Sequence, residues 1–167
     1  MPRHRPPRAS AYLRHRAATE ATGASRVKEL LAIHGLSPRK RMGQNFLIRE
    51  ELAERIVEHC RLEPDDVAVE IGPGAGALTP GLARRARHLI AVEMDRGLAQ
   101  LLREELAGFP RVELIEGDFL ELDLVALAAT HDVAKLAVVG NIPYNVTTPI
   151  LERLFAQRAV VKSAVLL

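Results

Sequence analysis

The sequence predicts an α/β protein in which helices cover both faces of a parallel sheet. From Val67 onward, short apolar runs of strand length alternate with segments of helical periodicity. Alternation of this kind gives a parallel sheet, in which ligands bind at the carboxyl ends of the strands. The unusual residue clusters of this chain all follow the apolar runs. We therefore expect its functional residues to meet at one edge of the sheet.

Four strands and their connections are predicted in order. The strands cover residues 67–71, 89–93, 112–116 and 136–139. Helices are expected from a glycine-rich turn to about residue 85, and then over residues 95–107, 122–129 and 148–157, the last with Pro149 near its first turn. Two short amphipathic helices precede the sheet, at residues 25–34 and 50–59.

Size and composition indicate a single globular domain. The chain has 167 residues, of which 48% are hydrophobic. No apolar run approaches a membrane span or resembles a signal peptide, so a cytoplasmic location is predicted. Cys60, the single cysteine, cannot form an internal disulfide, and the six histidines show no metal-ligand spacing. The sequence therefore predicts no metal site.

Charge is distributed unevenly along the chain. Residues 1–48 contain ten Lys and Arg against two Glu, whereas residues 49–167 contain thirteen against nineteen acids. A basic segment beside an acidic body suggests a polyanionic partner. Residues 1–24 carry five of these arginines among prolines and alanines, without an apolar period, and are predicted to form a disordered arm. A transit peptide or a misassigned start are the alternatives.

A glycine-rich loop follows the first strand, with the sequence Glu-Ile-Gly-Pro-Gly-Ala-Gly-Ala from Glu70. Glycines allow a sharp turn and close approach of a ligand. The spacing of Gly72, Gly74 and Ala77 also satisfies the looser dinucleotide-binding pattern. Glu70 favours a different ligand, because a carboxylate repels a pyrophosphate and attracts the ammonium and sulfonium groups of S-adenosylmethionine.

Acidic residues end the next two strands. Glu93 lies about twenty residues beyond the loop, where a carboxylate can accept hydrogen bonds from ribose hydroxyls. Asp95 is the better candidate for capping the following helix. Asp118 can accept from the amino group of an adenine, with Phe119 or Met94 near the ring. Because Gly-Asp is also a common turn pair, the turn interpretation of Asp118 stays open.

The fourth strand is followed by Asn141-Ile142-Pro143-Tyr144. The exocyclic amine of adenine is a poor nucleophile, and a catalyst must draw it toward tetrahedral geometry. The Asn141 side-chain oxygen and the carbonyl of Ile142 or Pro143 can each accept one N–H of that amine. Tyr144 offers a face on which the base can stack. A proline-containing turn capped by an asparagine is the alternative interpretation.

Five separated elements together resemble the ribosomal RNA adenine N6,N6-dimethyltransferase family, from about Ser25 to the last residue. They are Gly-Gln-Asn-Phe-Leu from residue 43, the loop at Glu70, Glu93, Asp118 and Asn-Ile-Pro-Tyr-Asn from residue 141. The resemblance implies a class I S-adenosylmethionine-dependent (Rossmann-like) fold and dimethylation of two adjacent adenines in small-subunit ribosomal RNA, in ribosome biogenesis. The related macrolide-resistance methyltransferases usually carry a lysine in the loop, where this chain has Pro73 and Ala75.

The resemblance also implies roles for individual residues. The expected cofactor is S-adenosylmethionine, held by Asn45, Leu47, Gly72, Glu93, Asp118 and Asn141. The expected catalytic residues are Asn141, Pro143 and Tyr144. The implied partner is ribosomal RNA or a precursor of the small ribosomal subunit, and the chain is expected to be a monomer that needs no metal and no membrane.

The chain stops inside what should be the fifth strand. The sequence therefore predicts residues 25–167 to be the first part of a catalytic domain, with later strands and a helical RNA-binding domain absent. The fourth strand is expected near an uncovered edge of the sheet. Little independent activity is expected. One alternative is a non-catalytic RNA-binding or ribosome-assembly factor that keeps the donor pocket. Another is a dinucleotide-dependent oxidoreductase, which Glu70 and the lack of a proton relay disfavour.

Overall fold

A parallel sheet forms the centre of the molecule in the computed structural model, which describes Ala32 and residues 50–167. Its strands are β1 (Val67–Ile71), β2 (His88–Glu93), β3 (Val112–Glu116), β4 (Leu136–Gly140) and β5 (Val161–Leu166). They pair in the order β3-β2-β1-β4-β5, and every pairing is parallel. The predicted arm, most of the helix predicted at residues 25–34, and the site residues Asn45 and Leu47 lie outside the described residues.

Five helices accompany these strands in the described part of the chain. They are α1 (Glu50–His59), α2 (Thr79–Arg85), α3 (Arg96–Glu105), α4 (Leu124–Thr130) and α5 (Thr147–Ala156). Short 3-10 turns lie at Phe119–Glu121, Tyr144–Val146 and Arg158–Val160. None of the described helices combines the length and apolar character required to cross a bilayer.

Apolar residues pack on both faces of the sheet. Every residue of β1 and β4 is buried, as expected for central strands of a parallel sheet. Successive side chains of a strand point to opposite faces, so the two faces form two clusters. One cluster joins the sheet to α4 and α5 and includes Val69, Ile90, Val138, Leu127 and Leu154. The other joins it to α1 and α2 and includes Ala68, Leu89, Val139, Val57 and Leu82.

The elements predicted from residue 50 onward are confirmed, with differences at their ends. α3 begins at Arg96 because Asp95 is its N-cap and accepts hydrogen bonds from the amides of Gly97 and Leu98 at 2.8 and 3.2 Å. The helix predicted over residues 122–129 begins at Leu124 instead. Asp123 caps α4, and Asp118 separately caps the 3-10 turn that precedes it. Two short side chains therefore divide this connection into two pieces.

The fifth strand corrects one expectation about the sheet edge. Residues 161–166 pair with β4 along its whole length, so β4 lies between β1 and β5 and is buried. The expectation that the fourth strand lies near an uncovered edge is wrong, because β5 is complete enough to cover it. Among the described strands, β3 and β5 are the edges, and both are partly exposed.

Candidate functional site

The segments that follow the strands are held to one another by continuation of the sheet hydrogen bonds. The amide of Gly72 donates to the carbonyl of Val92 at 2.9 Å. The amide of Gly117 donates to the carbonyl of Glu93 at 2.9 Å, and that of Ile142 to the carbonyl of Leu167 at 3.1 Å. The loops after β1, β3 and β4 therefore leave the sheet side by side at its carboxyl edge.

A cleft of about 330 Å³ lies at this edge. It is lined by the ends of β1 and β2, the glycine-rich loop, residues 117–120, and residues 141–143, 145 and 146. The sequence-predicted residues Gly72, Glu93, Asp118, Asn141 and Pro143 all line it. A volume of this size is within the range of small-molecule sites. The structure thus brings together the predicted residues that it describes, except Tyr144.

The glycine-rich loop has a backbone that only glycine adopts without strain. Gly72, Gly74 and Gly76 have φ angles of 60°, 62° and 80°, in the left-handed region. The amide of Gly76 donates to the carbonyl of Pro73 at 2.9 Å and closes a tight turn. The loop thus reverses direction and brings its own backbone into the wall of the cleft.

The Glu93 carboxylate fastens this loop to the end of β2. One oxygen accepts a hydrogen bond from the amide of Gly74 at 3.0 Å, and the other accepts from the amide of Asp95 at 2.9 Å. Glu93 is 5% exposed, and burial raises its pKa, although the two backbone hydrogen bonds act in the opposite direction. Each carboxylate oxygen has further acceptor capacity, so Glu93 can hold the loop and a ligand hydroxyl together.

Glu70, the residue before the last of β1, lines the cleft and is 2% exposed. Burial raises its pKa to about 8. The Thr79 side chain partly lowers this pKa, and the charge of Glu93 raises it further. The Thr79 hydroxyl makes no hydrogen bond among the described residues. Without a ligand this carboxyl is therefore mostly protonated at neutral pH. A cation in the cleft would favour the ionised form, so the attraction of Glu70 for a cationic ligand stays a prediction.

Asp118 has the turn role that the sequence left open. Its side chain accepts a hydrogen bond from the amide of Leu120 at 2.9 Å and caps the 3-10 turn. The same residue lines the cleft between Phe119, which is buried, and Met94, which is 55% exposed. Because a carboxylate accepts more than one hydrogen bond, the capping role leaves capacity for a ligand.

The four residues of the Asn141-Ile142-Pro143-Tyr144 segment differ in exposure and in their hydrogen bonds. Asn141 and Ile142 both line the cleft, and Ile142 is buried. The carbonyl of Pro143 accepts hydrogen bonds from the amide of Val146 at 3.1 Å and the hydroxyl of Thr147 at 3.4 Å. This carbonyl is therefore engaged in the next turn, which favours the Ile142 carbonyl as an acceptor for a ligand. The Tyr144 side chain is 86% exposed and lies outside the cleft lining.

Sequence reasoning missed the apolar wall of the cleft. Leu98 of α3 and Ile150 of α5 line it, together with Val92 and Ile71 at the strand ends. Their helical or strand periodicity is that of ordinary core residues, so no signal in the sequence separated them from the core. A flat apolar group could pack against this wall.

The polar lining of the cleft is acidic. Glu70, Glu93 and Asp118 contribute carboxyl groups, and no Lys or Arg is found among the described lining residues. This distribution favours a ligand with cationic groups and disfavours a pyrophosphate. It supports the preference for a sulfonium compound over a dinucleotide.

The strand order, the glycine-rich loop and the acidic cleft define the fold of class I methyltransferases. The solved structure of the 23S rRNA methyltransferase ErmE superposes with a TM-score of 0.64 at 36% identity, over 73% of this chain and 47% of that one. A dimethyladenosine transferase from Plasmodium falciparum superposes with a TM-score of 0.58 at 25% identity, over 70% of this chain and 40% of that one. The profile of the family described as ribosomal RNA adenine dimethylase matches residues 35–167, and this chain belongs to that family.

Curated relatives carry the name Ribosomal RNA small subunit methyltransferase A. The relative from Pelotomaculum thermopropionicum is 45% identical over 139 residues, which cover 79% of this chain and 47% of the relative. That from Thermotoga neapolitana is 43% identical over 134 residues, covering 80% of this chain and 48% of the relative. The chain therefore spans about half the length of these curated relatives.

The strained loop backbone gives a prediction for stability. Gly72→Ala should lower the free energy of unfolding by about 1–2 kcal/mol, the cost of placing an L-residue in the left-handed region. A Cβ at Gly72 would meet nothing within 4 Å, so a clash contributes nothing. The matched control is Gly117→Ala, whose Cβ would be 4.0 Å from Ile115 and whose φ lies outside that region. Urea denaturation measures both; equal losses would contradict the strain argument.

The raised pKa of Glu70 gives a prediction for pH dependence. The folded protein holds this proton up to about pH 8, whereas the unfolded chain loses it near 4.5. The contribution to stability is therefore complete below pH 4.5 and is lost as the pH rises toward 8. Glu70→Gln should remove this loss in the ligand-free protein. The free energy of unfolding of the variant, relative to that of the wild type, should therefore rise by roughly 2–4 kcal/mol from pH 5 to pH 8.

Urea denaturation at several pH values measures the effect of Glu70→Gln. Glu58→Gln, on the exposed side of α1, is the matched control and should leave the pH profile of the wild type in place. Parallel profiles for the wild type and Glu70→Gln would show that Glu70 has no raised pKa.

Proposed function

We propose that this protein transfers methyl groups from S-adenosylmethionine to the N6 amines of adjacent adenines in small-subunit ribosomal RNA. The observation that carries the proposal is the acidic cleft at the strand ends, which adjoins Asn141 in a chain of the ribosomal RNA adenine dimethylase family. The curated relatives named above are small-subunit methyltransferases, which supports this substrate. The dimethyladenosine transferase among the structural neighbours supports adenine as the target base.

The residues of the cleft fit S-adenosylmethionine by charge and shape. Glu70 is a buried carboxyl with an oxygen, Oε2, that makes no hydrogen bond within the described residues, and it lies beside the loop. We assign it to the cationic methionine end of the donor, together with Gly72 and, from the resemblance, Asn45 and Leu47. Glu93 would accept from the ribose hydroxyls.

The adenine end of the donor has its own set of residues. Asp118 would accept from the amino group of the adenine ring, and Phe119 or Met94, which also line the cleft, would pack near that ring. The apolar wall at Leu98 and Ile150 would exclude water from the same region. A donor with a charged end and a flat aromatic end thus matches the two parts of this cleft.

The donor supplies an activated methyl group, and the protein supplies position and hydrogen bonds. The amide oxygen of Asn141 and the carbonyl of Ile142 would each accept one N–H of the target amine. These acceptors keep the nitrogen lone pair directed at the methyl group and favour tetrahedral geometry as the new bond forms. Pro143 fixes the direction of the chain between Ile142 and Tyr144, while its own carbonyl stays in the turn.

The exposed position of Tyr144 suits an incoming base. Tyr144 is 86% exposed and directly follows Pro143, which lines the cleft together with Asn141. An adenine can reach the cleft only after leaving its stack, and an aromatic face replaces part of the stacking energy that the base loses. We therefore propose that Tyr144 stacks on the target adenine and makes no direct contribution to donor binding.

Donor binding provides the first test. Glu93→Gln should weaken the affinity for S-adenosylmethionine by about 1–3 kcal/mol, because hydrogen bonds to a charged acceptor are lost. The matched control is Glu116→Gln, a carboxylate at the end of the neighbouring strand that pairs with Arg96 and Arg103 and is absent from the cleft lining. Calorimetric titration measures both variants, with thermal unfolding to detect loosening of the loop. Preferential binding of a nicotinamide dinucleotide would reject the proposal.

Methyl transfer provides the second test, with small-subunit particles that lack dimethyladenosine as the substrate. In a protein of the length of the curated relatives, Asn141→Ala should abolish transfer and weaken donor binding. Tyr144→Ala should reduce transfer at least tenfold, whereas Tyr144→Phe, which keeps the ring, should retain most activity and neither change should alter donor affinity. Loss of donor binding in Tyr144→Ala would place the side chain in a different role.

The transfer assay also separates an active methyltransferase from a non-catalytic RNA-binding factor. A non-catalytic RNA-binding factor with the same cleft would bind the donor and the particle without transferring methyl groups. The cytoplasmic location and the monomeric state inferred from the sequence stay predictions, to be checked by cell fractionation and by light scattering.

A further inference from the structure

Two histidines and a glutamate meet at the end of the sheet opposite the cleft. His88 is the first residue of β2, Glu113 is the second residue of β3, and His131 caps the carboxyl end of α4. The Nε2 atoms of His131 and His88 lie 3.3 and 3.7 Å from Oε2 of Glu113. One ligand atom from each residue lies within 4.8 Å of the other two. Three elements thus converge on one small volume.

The two imidazole nitrogens have an unusual environment. Both Nε2 atoms are buried and make no hydrogen bond within the described part of the chain. Buried polar atoms without a partner destabilise a protein, and a specific pair of them indicates a water or an ion that completes the site. The rings lie 4.7 Å apart with a 36° angle between their planes, so both nitrogens face the carboxylate.

We propose that His88, Glu113 and His131 bind a first-row divalent metal ion, with zinc as the preferred species. Zinc takes imidazole nitrogen at about 2.0–2.1 Å and carboxylate oxygen at about 2.0–2.2 Å, so tetrahedral ligands lie roughly 3.4 Å from one another. The two Nε2–Oε2 distances of 3.3 and 3.7 Å are close to this spacing, and all three ligand atoms lie within 4.8 Å of one another. A water molecule would fill the fourth position.

The surroundings suit a structural metal site. The Glu113 side chain is 45% exposed and gives the ion a path from solvent, whereas His131 is 14% exposed. The guanidinium of Arg87 donates to the carbonyl of His131 at 2.7 Å and fixes the backbone of that ligand. An ion here would clip the end of α4 to β2 and β3.

The spacing of histidines and cysteines along the chain predicted no metal site. The three residues are far apart in sequence, and only the fold brings them together. The cluster shares no residue with the cleft, so its test is independent of the proposed methyltransferase activity.

The test uses the full chain with His4, His15, His34 and His59 replaced by Gln, which leaves His88 and His131 as the only histidines. After removal of metal with a chelator, calorimetry should show binding of one equivalent of Zn²⁺, and Co²⁺ should give the visible absorption bands of a tetrahedral site. In this background Zn²⁺ should raise the melting temperature, since it binds the folded state.

Removal of a ligand should abolish these effects. His131→Gln should lower Zn²⁺ affinity at least about tenfold and remove the shift in melting temperature. Glu113→Gln, at the most exposed of the three positions, should do the same and guards against a folding defect, which circular dichroism detects. The inference is overturned if the background chain binds no Zn²⁺, if both ligand variants bind it as tightly as the background, or if a pH-dependent stabilisation occurs with no response to metal.

Discussion

The rest of the structure depends on the parallel register of the sheet and its continuation past the strand ends. Because Ile71 pairs with both Val92 and Gly140, the segments after β1, β2 and β4 begin at the same level. The hydrogen bonds of Gly72 and Ile142 then extend the ladder by one step beyond the strands. Residues that are distant in sequence are thereby held at one edge with the precision of the sheet. A cleft formed by independent loops would lack this rigidity.

Placing carboxyl groups at that edge costs stability and sets the chemistry of the cleft. Glu93 offsets the cost of its burial with two backbone hydrogen bonds, and these same bonds hold the glycine-rich loop. Oε2 of Glu70 makes no hydrogen bond within the described residues, and burial raises the pKa of this carboxyl to about 8. A cationic ligand would supply the missing compensation. In the proposed function, binding of the cationic donor would therefore offset part of the free-energy cost of burying Glu70.

The elements were more predictable than the roles of individual side chains. Asp95 was expected to cap a helix and does so, because a short acceptor just before an amphipathic segment has few alternatives. Asp118 was ambiguous in sequence and has both a turn role and a position in the cleft, since one carboxylate can serve two donors. For Pro143, the motif alone did not predict whether the carbonyl is available to a ligand. Whether its carbonyl is available depends on the turn that follows, where Val146 and Thr147 already donate to it.

The sequence by itself determined the α/β alternation, the bounds of most strands and the set of residues at the strand ends. These features follow from local periodicity and from the connections that parallel strands require. The fold was needed to show that β5 covers β4, that burial raises the pKa of Glu70, and that Tyr144 lies outside the cleft. It alone brought His88 and His131 to one point. Burial and proximity arise from contacts between distant segments, and no local pattern contains that information.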